Sequence, residues 1–195
     1  MPRTKEVFQQ IRNISRQNIL DKAAEVFADK GLADTKISDL AEAAGISQGL
    51  LYRYFTNKED VFIALLERAV SGVTDYTLSA IKRTGTPLEK LHWLTEQILK
   101  GMSEQPVYFK IISQAIALPG KVQEVIAKMT PVGQLFRELI IEGQNAGELV
   151  KRDPDQLVLL YISCLYGLAG GKSFNIRRLD AYFPTADALL QILKA

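Results

Sequence analysis

From Thr35 to Lys58 the chain reads TKISDLAEAAGISQGLLYRYFTNK, a pattern that leaves little choice of local fold. Ser38 can cap a short helix with Leu40, Ala41 and Ala44 inward, and Gly45 supplies the backbone freedom for a sharp turn after it. Ile46 then fills the angle between two helices. Ser47 caps a second helix, which turns Leu51 and Phe55 inward and leaves Gln48, Gly49, Leu50 and Arg53 outward. Asn57 and Asp60 stand at N-cap and N3 spacing, so a third helix is expected to begin at Lys58. The segment predicts a helix-turn-helix.

A helix presented in this way fits the major groove of duplex DNA, where Gln can pair with adenine, Arg with guanine, and an apolar side chain can touch a thymine methyl. Tyr52 and Tyr54 flank it as amphipathic phosphate contacts. Lys58 adds a full charge to the partial positive charge of a helix N-terminus, a natural clamp on a phosphate. The net charge is only +2, with nine Lys/Arg against nine Asp/Glu in residues 1–60, so overall charge says little about a nucleic-acid partner. Its distribution says more, because Arg3, Lys5, Arg12 and Arg16 face only Glu6 in the first sixteen residues. That basic arm suits phosphate or minor-groove contact, or a solvated tail.

On these residues the stretch from about Ile19 to Leu65 resembles the DNA-binding domain of the tetracycline-repressor (TetR) family of bacterial regulators. The resemblance is carried by Ala24, Phe27, Gly31, Thr35, Ile37, Asp39-Leu40-Ala41, Ala44-Gly45-Ile46-Ser47, Gly49, Leu51-Tyr52, Tyr54-Phe55 and Lys58-Glu59. A fainter echo runs from Glu142 through Gly143, Gln144, Gly147 and Leu149 to Asp153-Pro154, where many family members place a linker before their dimer helices. The sites implied for DNA are Thr35, Ser47, Gln48, Gly49, Leu50, Tyr52, Arg53, Tyr54 and Lys58. Leu50 departs from the Thr found there in many relatives, so their base preference does not carry across.

The rest of the chain has helical periodicity and no strand pattern, and 47% apolar content is enough for a sizeable core. A first helix is expected from near Ser15, or earlier through the arm, to Lys30, with Gly31 as its C-cap. A long helix from Lys58 to about Arg83 should connect the domains. Further helices are expected over 87–102, from Pro106 to about Leu118, over 121–146 with a break or kink at Pro131, from Asp155 to about Lys172, and from Pro184 or Thr185 to the end. This is an all-α chain. Residues 1–58 form a DNA-binding domain with three helices and a basic arm, and residues 59–195 a helical ligand-binding and dimerisation domain.

The helix over 155–171 is apolar nearly all round, which a surface helix tolerates only with a second surface to bury its outer face. Ser163, Gly167 and Gly171 offer a small-residue face, and Leu157, Leu160, Tyr161, Cys164 and Leu168 line another. With Leu189, Leu190, Ile192 and Leu193 of the last helix they predict a dimer interface of four helices, as the resemblance also implies. The interface set is Leu160, Ser163, Cys164, Gly167, Gly171, Leu189, Leu190 and Leu193. Between the two domains' signatures lie large apolar residues suited to a ligand pocket: Trp93, Met102, Tyr108, Phe109, Ile112, Met129 and Phe136. His92, Gln114, Tyr161 and Tyr166 could orient a ligand by hydrogen bonds.

With one histidine and one cysteine the chain lacks a His/Cys cluster of metal-ligand spacing, and no cofactor or metal is expected. Gly171-Lys172-Ser173 is not the end of a phosphate-binding loop, since residue 166 is Tyr and no strand precedes it. No apolar stretch reaches the ~20 residues of a membrane span, and no signal peptide is visible, so a cytoplasmic protein without a membrane partner is expected. The reading is not an enzyme but a homodimeric transcriptional repressor on a near-palindromic duplex operator. Its effector would be a small apolar or aromatic molecule that acts by tilting the long connecting helix. An activator, a ligand-independent regulator, and a helical ligand-binding or scaffold dimer that ignores DNA share many of these features.

Overall fold

The computed structural model describes residues 5–116, 118–128, 130–173 and 183–194. Ten helices run through them: α1 (Lys5–Asp34), α2 (Ile37–Ala43), α3 (Gln48–Leu51), α4 (Lys58–Lys82), α5 (Pro87–Glu104), α6 (Pro106–Ala115), α7 (Lys121–Ala127), α8 (Thr130–Asn145), α9 (Pro154–Ser173) and α10 (Ala186–Leu190). Among the described residues the extended pairing is a single antiparallel bridge, Leu149 to Lys194. The chain divides into two compact units, Met1–Glu67 and Arg68–Ala195, and the boundary falls inside α4.

Unit 1 is built on the buried face of α1. Ile19, Leu20, Ala23, Ala24 and Phe27 recur at helical spacing and pack with Leu40, Leu51, Phe55, Phe62, Leu65 and Leu66, all 5% exposed or less. Phe27 meets Phe62 edge to face, ring centroids 5.3 Å apart. Gly31 (φ 74°) ends the regular part of α1, as its C-cap position predicted. Upstream, α1 continues as a helix in which residues 6–14 are all exposed, among them Phe8 at 60% and Ile14 at 69%.

The start of α2 differs from expectation. Its N-cap is Lys36 rather than Ser38, and Ser38 lies exposed within the first turn. The reason is Asp39, whose carboxylate at N3 accepts the Lys36 N–H (3.1 Å) and pairs with the Lys30 ammonium (3.0 Å). The Lys36 amide first, and Lys30 second, hold the Asp39 carboxyl below its ordinary range. The turn itself follows the sequence reading. Gly45 (φ 66°) donates to the Glu42 carbonyl and Ile46 to that of Ala41, the paired bonds of a Schellman motif. Ser47 Oγ then accepts the Leu50 N–H (3.2 Å), and Asn57 Oδ1 accepts that of Asp60 (2.8 Å) to start α4.

In unit 2, α5, α8, α9 and α10 bury a common core that includes Leu91, Leu94, Met102, Phe136, Ile140, Leu157, Tyr161 and Leu190. The expected break near Pro131 separates α7 from α8, with the proline in the first turn of α8, where its missing N–H costs nothing. The Glu142–Leu149 segment is a helix stop. Gly147 (φ 75°) donates to Gln144, and Glu148 to Gly143, a second Schellman motif. The Gln144 amide reaches on to the carbonyls of Val150 (2.9 Å) and Arg152 (2.7 Å), and the Glu148 carboxylate accepts the Leu88 N–H at the start of α5 (2.9 Å). Gly143 itself is held to glycine by Leu149, whose Cδ1 lies 2.6 Å from where a Cβ would stand.

The last helix is shorter than expected. Thr185 caps it, but α10 ends at Leu190, and the Leu193 carbonyl accepts the Val150 N–H (2.9 Å). This places Leu189, Leu190 and Leu193 in the subunit's own core, at 9%, 0% and 0% exposure. Gly171 is buried as well. These four therefore do not face outward as the predicted interface required, and the three leucines pack into the subunit's own core.

Candidate nucleic-acid interface and ligand cavity

In unit 1, α3 is a single turn continued by tighter bonds, Arg53 N–H to Leu50 and Tyr54 N–H to Leu51. Leu51 and Phe55 anchor it from beneath. That anchoring turns Gln48, Gly49, Tyr52 and Arg53 to solvent, together with the capping Ser47, while Leu50 and Tyr54 are half-buried. The outward group combines two amide or guanidinium heads with a phenol, a set able to hydrogen-bond base edges and phosphates.

Two residues expected beside them are engaged elsewhere. Thr35 is 1% exposed and donates its hydroxyl proton to the Gly31 carbonyl (2.6 Å), so it cannot touch a ligand from its present position; it ties α2 to the end of α1. The Lys58 ammonium donates to the carbonyls of Ala33 (2.8 Å) and Thr35 (2.9 Å). Both are orphan carbonyls after a helix end, for which a cation is a strong partner. Lys58→Ala is accordingly expected to lower the stability of unit 1 by about 1–2 kcal/mol in denaturant titration, a charge-assisted bond pair discounted for its partial exposure. An unchanged midpoint would return Lys58 to a direct phosphate clamp.

Of the basic arm, Arg16 stacks over the Phe55 ring (4.9 Å to its centroid), which sets it beside the α3 turn. Arg12 is exposed one turn upstream, and Arg3 lies outside the described residues.

Unit 2 holds a cavity of about 130 Å³ lined from α4, α5, α6, α8 and α9. Six expected residues line it: Met102, Phe109, Ile112, Phe136, Tyr161 and Tyr166. Phe136 stacks on Tyr161 (centroids 4.4 Å apart, 20° between planes). Burial pushes the Tyr161 hydroxyl up to about 12. Thr95 Oγ1 gives its proton to the Leu91 carbonyl (2.7 Å), so Tyr161 donates to Thr95 across their 2.8 Å contact. Burial also raises Tyr166, with no second cause.

Sequence reasoning missed Val73, Thr77, Leu94, Ile98, Val132, Gly133, Ile162, Leu165 and Ala169, which complete the wall. Tyr108 is not in this cavity but in a second one of about 370 Å³, which shares Val73, Phe109 and Ile112 with the first. His92, Trp93 and Gln114 line neither. The buried face of α5 is Leu91, Leu94, Thr95, Ile98, Leu99 and Met102, which turns His92 outward between Glu96 (3.7 Å) and Asp187 (3.4 Å). Trp93 sits half-buried under the Arg83 guanidinium, 4.7 Å from its ring centroid. Met129 lies outside the described residues. Lys194 and then His92 hold the Asp187 carboxyl below its usual range.

The remaining predicted interface residues lie on α9, where Leu160 (45%), Ser163 and Gly167 are exposed and Cys164 is half-buried. Leu159, at 67%, belongs to the same stripe and was missed. Leu157 and Tyr161 point inward instead. Among the described residues no helix is long and apolar enough to cross a membrane, and no group of three or more His, Cys, Asp or Glu is placed to hold a metal ion.

An all-helical fold with a capped, outward-facing α3 defines a helix-turn-helix protein. Residues 19–65 match the family model described as bacterial regulatory proteins, tetR family, and the chain belongs to that family. It is 31% identical over 135 residues to the HTH-type transcriptional regulator AcrR of Shigella flexneri, covering 67% of this chain and 60% of that one. It is 37% identical over 73 residues to the fatty acid metabolism regulator protein of Bacillus subtilis, 37% of this chain and 38% of that one. The chain thus spans less than two thirds of the length of these two curated relatives. The crystal structure of the transcriptional regulator FadR from Bacillus subtilis in complex with stearoyl-CoA shares the fold, with a TM-score of 0.74 at 20% identity over 90% of this chain and 96% of that one.

Proposed function

We propose that this protein is a cytoplasmic, homodimeric transcriptional regulator, a repressor released from a near-palindromic operator by a small apolar effector. The observation that carries the reading is the α3 turn: Leu51 and Phe55 spend their bulk on anchoring it, and Gln48, Tyr52 and Arg53 are left exposed to solvent. Family membership supports it, as does the cavity in unit 2. One helix, α4, contributes Phe62 to the core of unit 1 and Val73 and Thr77 to the cavity wall, so a ligand that prefers one placement of α4 has a path to the reading turn. Binding, not turnover, is the activity in this reading.

Selection of duplexes from a random pool at near-physiological salt tests it. Enrichment of a two-fold related sequence, with half-sites roughly 34–36 Å apart or a multiple of that, is expected. Weak, salt-sensitive retention without enrichment overturns the DNA reading and favours a helical ligand-binding dimer. On the selected duplex, Arg53→Ala should cost about 1–3 kcal/mol and relax preference at one base pair per half-site, in contrast to a phosphate contact, whose loss weakens all sequences alike.

A further inference from the structure

The smaller cavity of unit 2 has an almost wholly apolar wall, and the few polar side chains in it can be accounted for one by one. None of its described lining residues carries a charge, and three of them, Thr77, Tyr161 and Tyr166, carry a hydroxyl. Two of those hydroxyl protons are spent. Thr77 donates to the Val73 carbonyl one turn back (3.0 Å), and Tyr161 donates to Thr95. The Tyr166 hydroxyl has no hydrogen bond among the described residues, and burial, which raises it, keeps it in the neutral, donating form. The room is equally defined. At about 130 Å³ the cavity is close to the ~150 Å³ of an apolar protein cavity that takes up benzene. Part of that room exists because residue 133 is glycine: it lines the cavity, and a Cβ built there meets nothing within 4 Å. Phe109, Phe136 and Tyr161 give the cavity aromatic walls, against which a flat ring packs by face or edge.

We infer that the ligand of this cavity is an uncharged molecule of about one ring, carrying a single acceptor that takes a hydrogen bond from the Tyr166 hydroxyl. This rests on the ligand-responsive reading above and adds the ligand's size, charge and polarity to it. An ion of either sign would leave water for a wall that offers no countercharge, at a cost far above what the apolar contact returns. A second acceptor would find no donor left and would lose its water without replacement. A second fused ring exceeds the room.

Calorimetric titration of the whole protein at neutral pH with benzonitrile, toluene, benzoate, benzylammonium and 1-naphthonitrile tests this. Benzonitrile and toluene should bind, the two ions at least about 100-fold more weakly than benzonitrile, and 1-naphthonitrile not at all. Tyr166→Phe, which removes one oxygen and no carbon, should weaken benzonitrile about tenfold and leave toluene unchanged, as the loss of one buried hydrogen bond implies. Gly133→Leu should weaken both by at least about tenfold, because the added side chain occupies the cavity. Leucine is also the better helix former, so α8 keeps its fold. Either ion binding as tightly as benzonitrile, a Tyr166→Phe effect shared by toluene, unchanged binding by Gly133→Leu, 1-naphthonitrile binding as well as benzonitrile, or no binding by any probe overturns the inference. If the selected duplex is found and no probe binds, only the inference falls. If benzonitrile binds in the expected pattern without releasing the duplex, the inferred ligand chemistry stands and the ligand-responsive reading falls.

Discussion

A Gly167→Glu chain is expected to be monomeric, to keep its helical content, and to lose about 10²–10⁴ in affinity for a duplex carrying two half-sites while binding a single half-site normally. The expectation comes from how α9 divides its surface. Leu157, Tyr161 and Ala169 turn into the subunit's core, whereas Leu159, Leu160, Ser163 and Gly167 form an exposed stripe with large apolar area at one end and small residues at the other. A Cβ at Gly167 meets nothing within 4 Å among the described residues, so a side chain there points to whatever covers the stripe. In a two-fold interface of near-parallel or antiparallel helices, each new carboxylate would be buried close to its own copy, unpaired and repelled. Sedimentation equilibrium reads the oligomeric state directly. A dimer of unchanged affinity would move the interface off this stripe.

What was legible in the sequence follows from how far apart the interacting residues lie. Gly45, Ser47 and Asn57 each bond a backbone group three residues away, and the turn they specify has the expected geometry. Ser38 was misread because two capping devices compete there, and the carboxylate of Asp39, supported by Lys30 from another helix, prevails. The leucines of α10 show a different limit. Burial against one's own core and burial against a partner demand the same residue types, so Leu189, Leu190 and Leu193 carry no mark of which surface they meet. The cavity was half readable. Large residues such as Phe109, Phe136 and Tyr161 stand out by size, but Leu94, Ile98 and Gly133 are ordinary helix positions that become a wall only because helices remote in sequence leave a gap between them. His92 illustrates the converse: a distinctive residue type drew attention that its place on the solvent side of α5 does not support.

Phe62→Ala should unfold unit 1 and abolish duplex binding while unit 2 keeps its fold and its ligand. Phe62 is fully buried, and its ring meets Phe27 edge to face. Truncating it removes that ring pair and leaves a cavity in the buried core of unit 1, at a cost of about 3–5 kcal/mol. A unit of 67 residues holds only about 3–10 kcal/mol of stability in total, so the loss consumes most of what it has. Beyond Arg68, α4 is held by a separate set of contacts, with Ala80 buried in the core of unit 2 and Val73 and Thr77 on its cavity wall. Differential scanning calorimetry should therefore show the transition of unit 1 lost or shifted well below that of the parent, with the transition of unit 2 in place. Phe62→Leu, which conserves most of the volume, should cost less than about 1.5 kcal/mol and retain duplex binding. A single transition that moves down intact, with both binding activities lost together, would mean that α4 transmits folding as well as signal, and that neither unit is stable without the other.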